Sequence, residues 1–386
     1  MTAEKMAERF QLRLGGAVEE TPGVFNPTRL AIARKRRGLT KGELASKLKL
    51  TPRAITAYET AEYPPSDETL SRIAHLLDFP VSFFAKEDVD ELELDAVSFR
   101  SLSKMTARQR DMAKSQGTLA VDLARWMDKR FELPACNLPD LSHESNPEVA
   151  ADYVRQHWGI GQQPVRNMIH LLEAKGVRVF SISVDAREVD AFSTWKGDVP
   201  YIFLNGYKST EHSRFDAAHE LCHLVMHKHG APTGRQAEQE ANKFASAFLM
   251  PRGSVLAHVP RFFTVAELRR LKKNWTVSLA ALNHRLHELK LLTDWHYTNL
   301  CIEISKRGYR VNEPDSAPRE TSLVLPKLFA SLYEQDGLTR SRIAEELGLS
   351  VTELESLLFS LVMTGMNGGR FTDKRSGNPA LLTRVK

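Results

Sequence analysis

His219 and His223 stand four residues apart, with Glu220 directly after the first. On a helix that spacing puts both imidazoles on one face, about 6 Å apart along the axis. From there both can reach one zinc ion at roughly 2.0–2.1 Å. Glu220 is placed to take a proton from a metal-bound water instead of ligating the metal. The flanking runs, residues 214–218 and 224–226, contain neither Gly nor Pro and read as helix. A catalytic tetrahedral site needs a third protein ligand and an open position. His227 repeats the spacing, but it would lie about 12 Å from His219 along a straight helix. Those two cannot share an ion, so His227 reads as an ordinary helix-end histidine.

The third ligand must then come from another element, and the run from Ala237 to Leu249 offers one. Its apolar residues Ala241, Phe244, Ala245, Phe248 and Leu249 form one helical stripe. Glu238 precedes Ala241 by three and Ala245 by seven, so it lies on that stripe. A carboxylate on a buried face needs a partner, and a metal supplies one. Glu240 is about 200° further round and points elsewhere, which makes it the fallback. Asn242 sits one turn after Glu238, where it can support a ligand from outside the metal's own shell.

Phe215 to Leu224, with His219-Glu220-Leu221-Cys222-His223 at its centre, then Glu238 to Ala245, then Phe248-Leu249-Met250-Pro251, resemble the ImmA/IrrE family of zinc metallopeptidases. The resemblance covers residues 145–295. It implies a zincin-like α+β domain, His219, His223 and Glu238 as zinc ligands, Glu220 as the catalytic base, and a protein substrate of the Xre-repressor type in a stress or mobile-element response. Cys222 departs from the family, which often has Gly there. That position points away from the histidine face and reads as a small buried residue.

The chain as a whole has 386 residues, enough for two or three domains, with a net charge of +5 and 42% hydrophobic content. The basic balance points to an anionic partner. Cys136, Cys222 and Cys301 are odd in number and far apart, which argues against a disulfide framework and for the cytoplasm. No signal-peptide core stands at residues 1–13, and no stretch approaches 18 uncharged apolar residues, so no membrane span is expected.

Taken in order, residues 1–24 read as a polar arm, and residues 26–86 as a set of short helices. Thr40 and Glu43 make a capping box, Thr51 caps the next helix with Pro52 in its first turn, and Ser66 caps another. A helix, a tight turn and a second capped helix are the helix-turn-helix plan. Thr40 to Ala45, Ile55 to Glu59, and Pro65-Ser66 with Leu70 resemble the Cro/C1-type (Xre) DNA-binding domain over residues 27–85. The resemblance implies double-stranded DNA as partner and a reading helix exposing Thr51, Arg53, Ala54 and Thr56. Arg53 suits a guanine edge. Lys41, with Lys35, Arg36, Arg37 and Lys49, stands where phosphates could be met. Lys41 replaces a frequent Gln, and Thr60 stands where the family often has Gly, so a different local turn is expected. A homodimer is expected, because such heads often read paired half-sites.

Residues 87–143 read as an acidic linker, from Asp88 to Asp95, followed by a long interdomain or dimerisation helix over Phe99 to Phe131. Residues 144–296 form the peptidase domain: helices over Asn146–His157 and Pro164–Lys175, strands at Val177–Ile182, Ala191–Trp195 and Pro200–Asn205, the metal helix, and a helical stretch from Thr264 to Leu292. His284 and His287 are further site candidates there, against the plainer structural reading. Residues 297–386 form a C-terminal helical module with a strand within Asn299–Val311 and a basic tail. Leu338 to Ser350 again resembles the turn of a helix-turn-helix, with DNA or a protein partner as alternatives. The expected fold class is thus multidomain and mainly α, with an α+β zincin-like centre. Two functions compete on this reading: a regulator with an active peptidase, and a regulator whose peptidase-like domain only senses or docks. A closed structural zinc site fits poorly, since those sites usually use four Cys or His ligands.

Overall fold

A computed structural model describes residues 24–89, 91–92, 106–182, 191–229, 234–359, 361–362 and 383–384. The polar arm, most of the acidic run, the start of the long helix and nearly all of the basic tail lie outside these residues.

The N-terminal head is built from α1 (Pro27–Arg36), α2 (Lys41–Leu48), α3 (Pro52–Glu59), α4 (Asp67–Leu77) and a 3-10 turn at Val81–Ala85. Each start is dictated locally. Asn26, Thr40, Thr51 and Ser66 accept hydrogen bonds from the first-turn N–H groups, and Thr40 with Glu43 closes the capping box. Leu30, Leu44, Ile55, Ile73, Leu77 and Phe83 fill the small core. The turn after Glu59 is made without Gly. Thr60 keeps φ at −101°, and the left-handed residue is Ala61 at +59°.

Next comes α5 (Ala107–Asp128), capped by Thr106 and Gln109. It is nearly buried from Ala113 to Met127 by other parts of the same chain, including α1 and the central sheet. The dimerisation alternative therefore loses most of its surface, because this helix is the spine on which head and centre are mounted. Gly117 marks a close approach there: a Cβ would fall 2.4 Å from the Leu92 side chain and 3.3 Å from Phe192.

After the short strand β1 (Phe131–Glu132), α6 (Pro147–His157) and α7 (Met168–Ala174) lead into a three-stranded sheet. Its strands are β2 (Arg178–Ile182), β3 (Ala191–Lys196) and β4 (Val199–Asn205), in the order β2-β4-β3. β4 pairs in parallel with β2 and antiparallel with β3 across a turn at Gly197. Phe180, Phe192 and Phe203 stack across the sheet. Against the sheet lies α8 (Thr210–Met226), and against that α9 (Gly234–Leu249). They are followed by α10 (Arg252–Ala257), α11 (Val265–Leu271) and α12 (Leu279–Glu288). The helical stretch expected over Thr264–Leu292 is thus broken, at Trp275 to Ser278, where Thr276 takes a positive φ of 53° and Ser278 caps anew.

The strand expected within Asn299–Val311 is a helix, α13 (Asp294–Lys306), capped by Thr293. Cys301-Ile302-Glu303-Ile304 alternates like a strand, but only Leu300 and Ile304 are buried, which is helical spacing. Residues 313–323 then run as a strap across the central domain, fixed by buried charges. Glu313 meets Lys272, Glu211 accepts from Ser316 and Ala317, Arg214 pairs with Glu320, and Glu173 accepts from Ser322 and Leu323.

The C-terminal helices are α14 (Val324–Asp336), α15 (Arg340–Leu347) and α16 (Val351–Leu358). A last strand, β5 (Thr383–Arg384), pairs antiparallel with β1. The α15–α16 turn repeats the α2–α3 turn in detail. Gly348 takes φ +66° where Lys49 takes +56°, then follows a Leu, then a Ser or Thr cap. Yet α16 is turned inward. Glu353 is 2% exposed and receives Arg36 at 2.5 Å and Arg37 at 2.6 Å. Those two arginines are therefore not free for phosphates, a correction to the sequence expectation. Truncating Glu353 leaves Arg36 buried without its counter-charge. Glu353→Ala should lower the unfolding free energy in urea by about 3–5 kcal/mol. Glu345→Ala, in an exposed pair with Arg342, should change it by less than about 1 kcal/mol.

Candidate metal centre

The centre is made where α8 crosses α9. Ser209 caps α8, and the helix carries His219, Glu220 and His223 on the side facing α9 and the sheet. The stripe on α9 buries Ala241, Phe244, Ala245 and Phe248, and that packing brings Glu238 over the two histidines. His219 Nε2 and His223 Nε2 are 3.2 Å apart. Glu238 Oε2 is 3.4 Å from the first, and Glu238 Oε1 is 3.5 Å from the second. A tetrahedron with metal–ligand bonds of about 2.0–2.1 Å has edges of roughly 3.3 Å. The nitrogen–nitrogen spacing and the approach of one Glu238 oxygen to each ring all lie close to that edge length. Among the described residues this is the one group of three or more potential metal ligands close enough to share an ion.

Electrostatics agree with the geometry. Glu238 Oε1 is buried and has no hydrogen-bond partner. Burial alone would raise the Glu238 pKa, but the two histidines hold it well below the usual carboxylate range. Burial pushes His223 down to about 4, so this imidazole is neutral. His219 behaves oppositely. Burial disfavours its cation, yet Glu238, Glu220 and Asp216 together raise its pKa. Two ring nitrogens and a carboxylate converge on one point that lacks positive charge, and a divalent metal would supply it. The residues present therefore fit the ion.

The outer nitrogens are also held. His219 Nδ1 lies 3.2 Å from Asn242 Oδ1, which is the supporting role the sequence suggested for Asn242. His223 Nδ1 lies 2.8 Å from His227 Nδ1, and His227 Nε2 lies 3.1 Å from Glu240 Oε2. His227 is thus 4% exposed and in contact with a candidate ligand histidine, which its reading as a plain helix-end residue missed. The signal was present, because His227 is four residues from His223 as well as eight from His219. Glu240, the fallback ligand, faces His227 instead of the shared point.

Glu220 is fully enclosed, and burial pushes its pKa up to about 7, against the opposing pull of His219 and of its hydrogen bond from Ser193. Ser193 Oγ donates to Glu220 Oε2 at 2.7 Å from β3, one of the two edge strands of the sheet. No feature of the sequence around Ser193 marks it beyond its place in a predicted strand. His284 and His287 lie elsewhere, paired with Glu288 and Asp294.

In the head, Thr51, Arg53 and Thr56 are exposed on α3, and Ala54 is half-buried. Thr51 spends its hydroxyl on capping Ala54 N, and Thr56 donates to Pro52 O. Lys41 is half-exposed and 3.4 Å from Glu59, which Arg34 also holds with two hydrogen bonds. On α16 the positions matching Arg53, Ala54 and Thr56 are Thr352, Glu353 and Glu355, and Glu353 is buried against the head.

A family model described as IrrE N-terminal-like domain, a peptidase family, matches residues 172–287. A second, described as Helix-turn-helix, matches residues 30–84. No curated protein matches the sequence. No helix among the described residues is long and apolar enough to cross a membrane.

Zinc analysis of the purified protein checks the centre: the wild type should carry about one zinc per chain, and Glu238→Ala should lose it because two neutral imidazoles then face the ion without a carboxylate.

Proposed function

We propose, for a chain that joins an Xre-type helix-turn-helix domain to an IrrE-like domain of the peptidase class, that it is a DNA-binding regulator whose central domain is a zinc-dependent endopeptidase cutting a repressor-type protein. The observation that carries this reading is the convergence of His219 Nε2, His223 Nε2 and the Glu238 carboxylate, whose two oxygens lie 3.4 and 3.5 Å from the two rings, with a buried carboxyl group beside them. When bound, zinc supplies a Lewis acid that polarises the scissile carbonyl and acidifies a water. Glu220 takes up the proton and later delivers it to the leaving amine. Its pKa near 7 places it between the two protonation states that this cycle needs. Ser193 holds the Glu220 carboxylate at one orientation while leaving its second oxygen for the reaction. Because Ser193 belongs to an edge strand, an extended substrate segment added along β3 would pass beside the same carboxylate. That arrangement suits an unfolded stretch of a protein better than a small molecule.

The DNA side rests on the exposed face of α3. Arg53 is the residue placed to read a base, and a second copy of the chain would supply the matching half-site. Cutting a repressor of the same Xre type would then switch genes in a stress or mobile-element response.

Two outcomes test this. Glu220→Gln should retain zinc and lose about 10²–10⁴-fold in the rate of cleavage of Xre-type repressors followed by mass spectrometry. A zinc-loaded wild type that cuts none of them would favour a sensor without proteolysis. Arg53→Ala should weaken binding to a selected operator by about 1–3 kcal/mol while binding to unrelated DNA changes little.

A further inference from the structure

We infer that His227 and Glu240 form a proton-fixing chain that positions His223 for the metal, an inference that rests on the zinc reading of the centre. His223 and His227 meet Nδ1 to Nδ1 at 2.8 Å, and His227 meets Glu240 through Nε2 at 3.1 Å. Two ring nitrogens at that distance must share one proton, and one order alone leaves His223 Nε2 free for a metal. His223 carries its proton on Nδ1 and donates it to His227 Nδ1. His227 carries its own proton on Nε2 and donates it to the carboxylate, which can only accept. Glu240 thereby sets the tautomer of a ring it does not touch. Gln236 Nε2 donates to the other Glu240 oxygen at 3.0 Å and keeps the carboxylate turned toward His227. The two ligand histidines are held differently. His219 leans on the neutral, exposed amide of Asn242, whereas His223 leans on a chain ending in a charge.

The test is zinc affinity of the full chain, measured by competition with a chromophoric chelator, with apo unfolding midpoints as a folding control. Asn at 227 can place an acceptor oxygen where His227 Nδ1 stands. Gln instead reaches toward Glu240 and abandons His223. Phe keeps the ring and both contacts fail. His227→Phe, His227→Gln and Glu240→Ala should each weaken zinc by about 10–100-fold, with His227→Asn within about threefold of the wild type. Wild-type affinity in His227→Phe or Glu240→Ala overturns the chain, as does a His227→Asn loss exceeding that of His227→Gln. No uptake of zinc by the wild type overturns the metal reading and this inference with it.

Discussion

Three lone-pair donors that converge on one point repel one another unless something positive stands between them. The two Nε2 atoms and the Glu238 carboxylate are in that position, at 3.2 to 3.5 Å, inside a site that largely excludes water. Low local polarity makes the conflict severe. The raised proton affinity of His219 expresses the same deficit that a metal would relieve. Much of the central domain can be read as holding this arrangement in place. Phe244 and Phe248 fasten α9 onto its neighbours, the sheet backs α8, and Asn242 and His227 orient the rings from outside.

That rigidity extends along the chain by buried charge pairing. The strap at residues 313–323 satisfies Glu173, Glu211, Arg214 and Lys272 in the centre, and α16 satisfies Arg36 and Arg37 in the head. Pairs of this kind add little net stability over a well-packed apolar alternative, but losing one partner is costly. They therefore tie three segments, distant in sequence, into one arrangement. The α15–α16 turn is nearly identical to the α2–α3 turn of the head, yet α16 docks internally against Arg36 and Arg37.

The sequence was most legible where periodicity and chemistry coincided. The four-residue spacing of the histidines identified α8, and the apolar stripe on α9 singled out Glu238 over Glu240, because a face is a purely local property. Caps at Thr40, Thr51, Ser66 and Ser278 were local too. What escaped depended on contacts between remote segments. Arg36 and Arg37 looked like phosphate ligands because their partner Glu353 lies more than 300 residues away. Ser193 sat unnoticed in a strand because its role exists only once β3 meets Glu220. The helix at Asp294–Lys306 read as a strand because a short alternating run outweighed the helical spacing of Leu300 and Ile304.

The central claim is that this point binds one metal through two imidazoles and a carboxylate, leaving a position open for water. X-ray absorption of the zinc-loaded protein tests it directly. The account predicts a shell of nitrogen and oxygen at about 2.0–2.1 Å with the outer scattering of two imidazoles and no sulfur. Sulfur at about 2.3 Å, or a shell closed by four protein ligands, would contradict it.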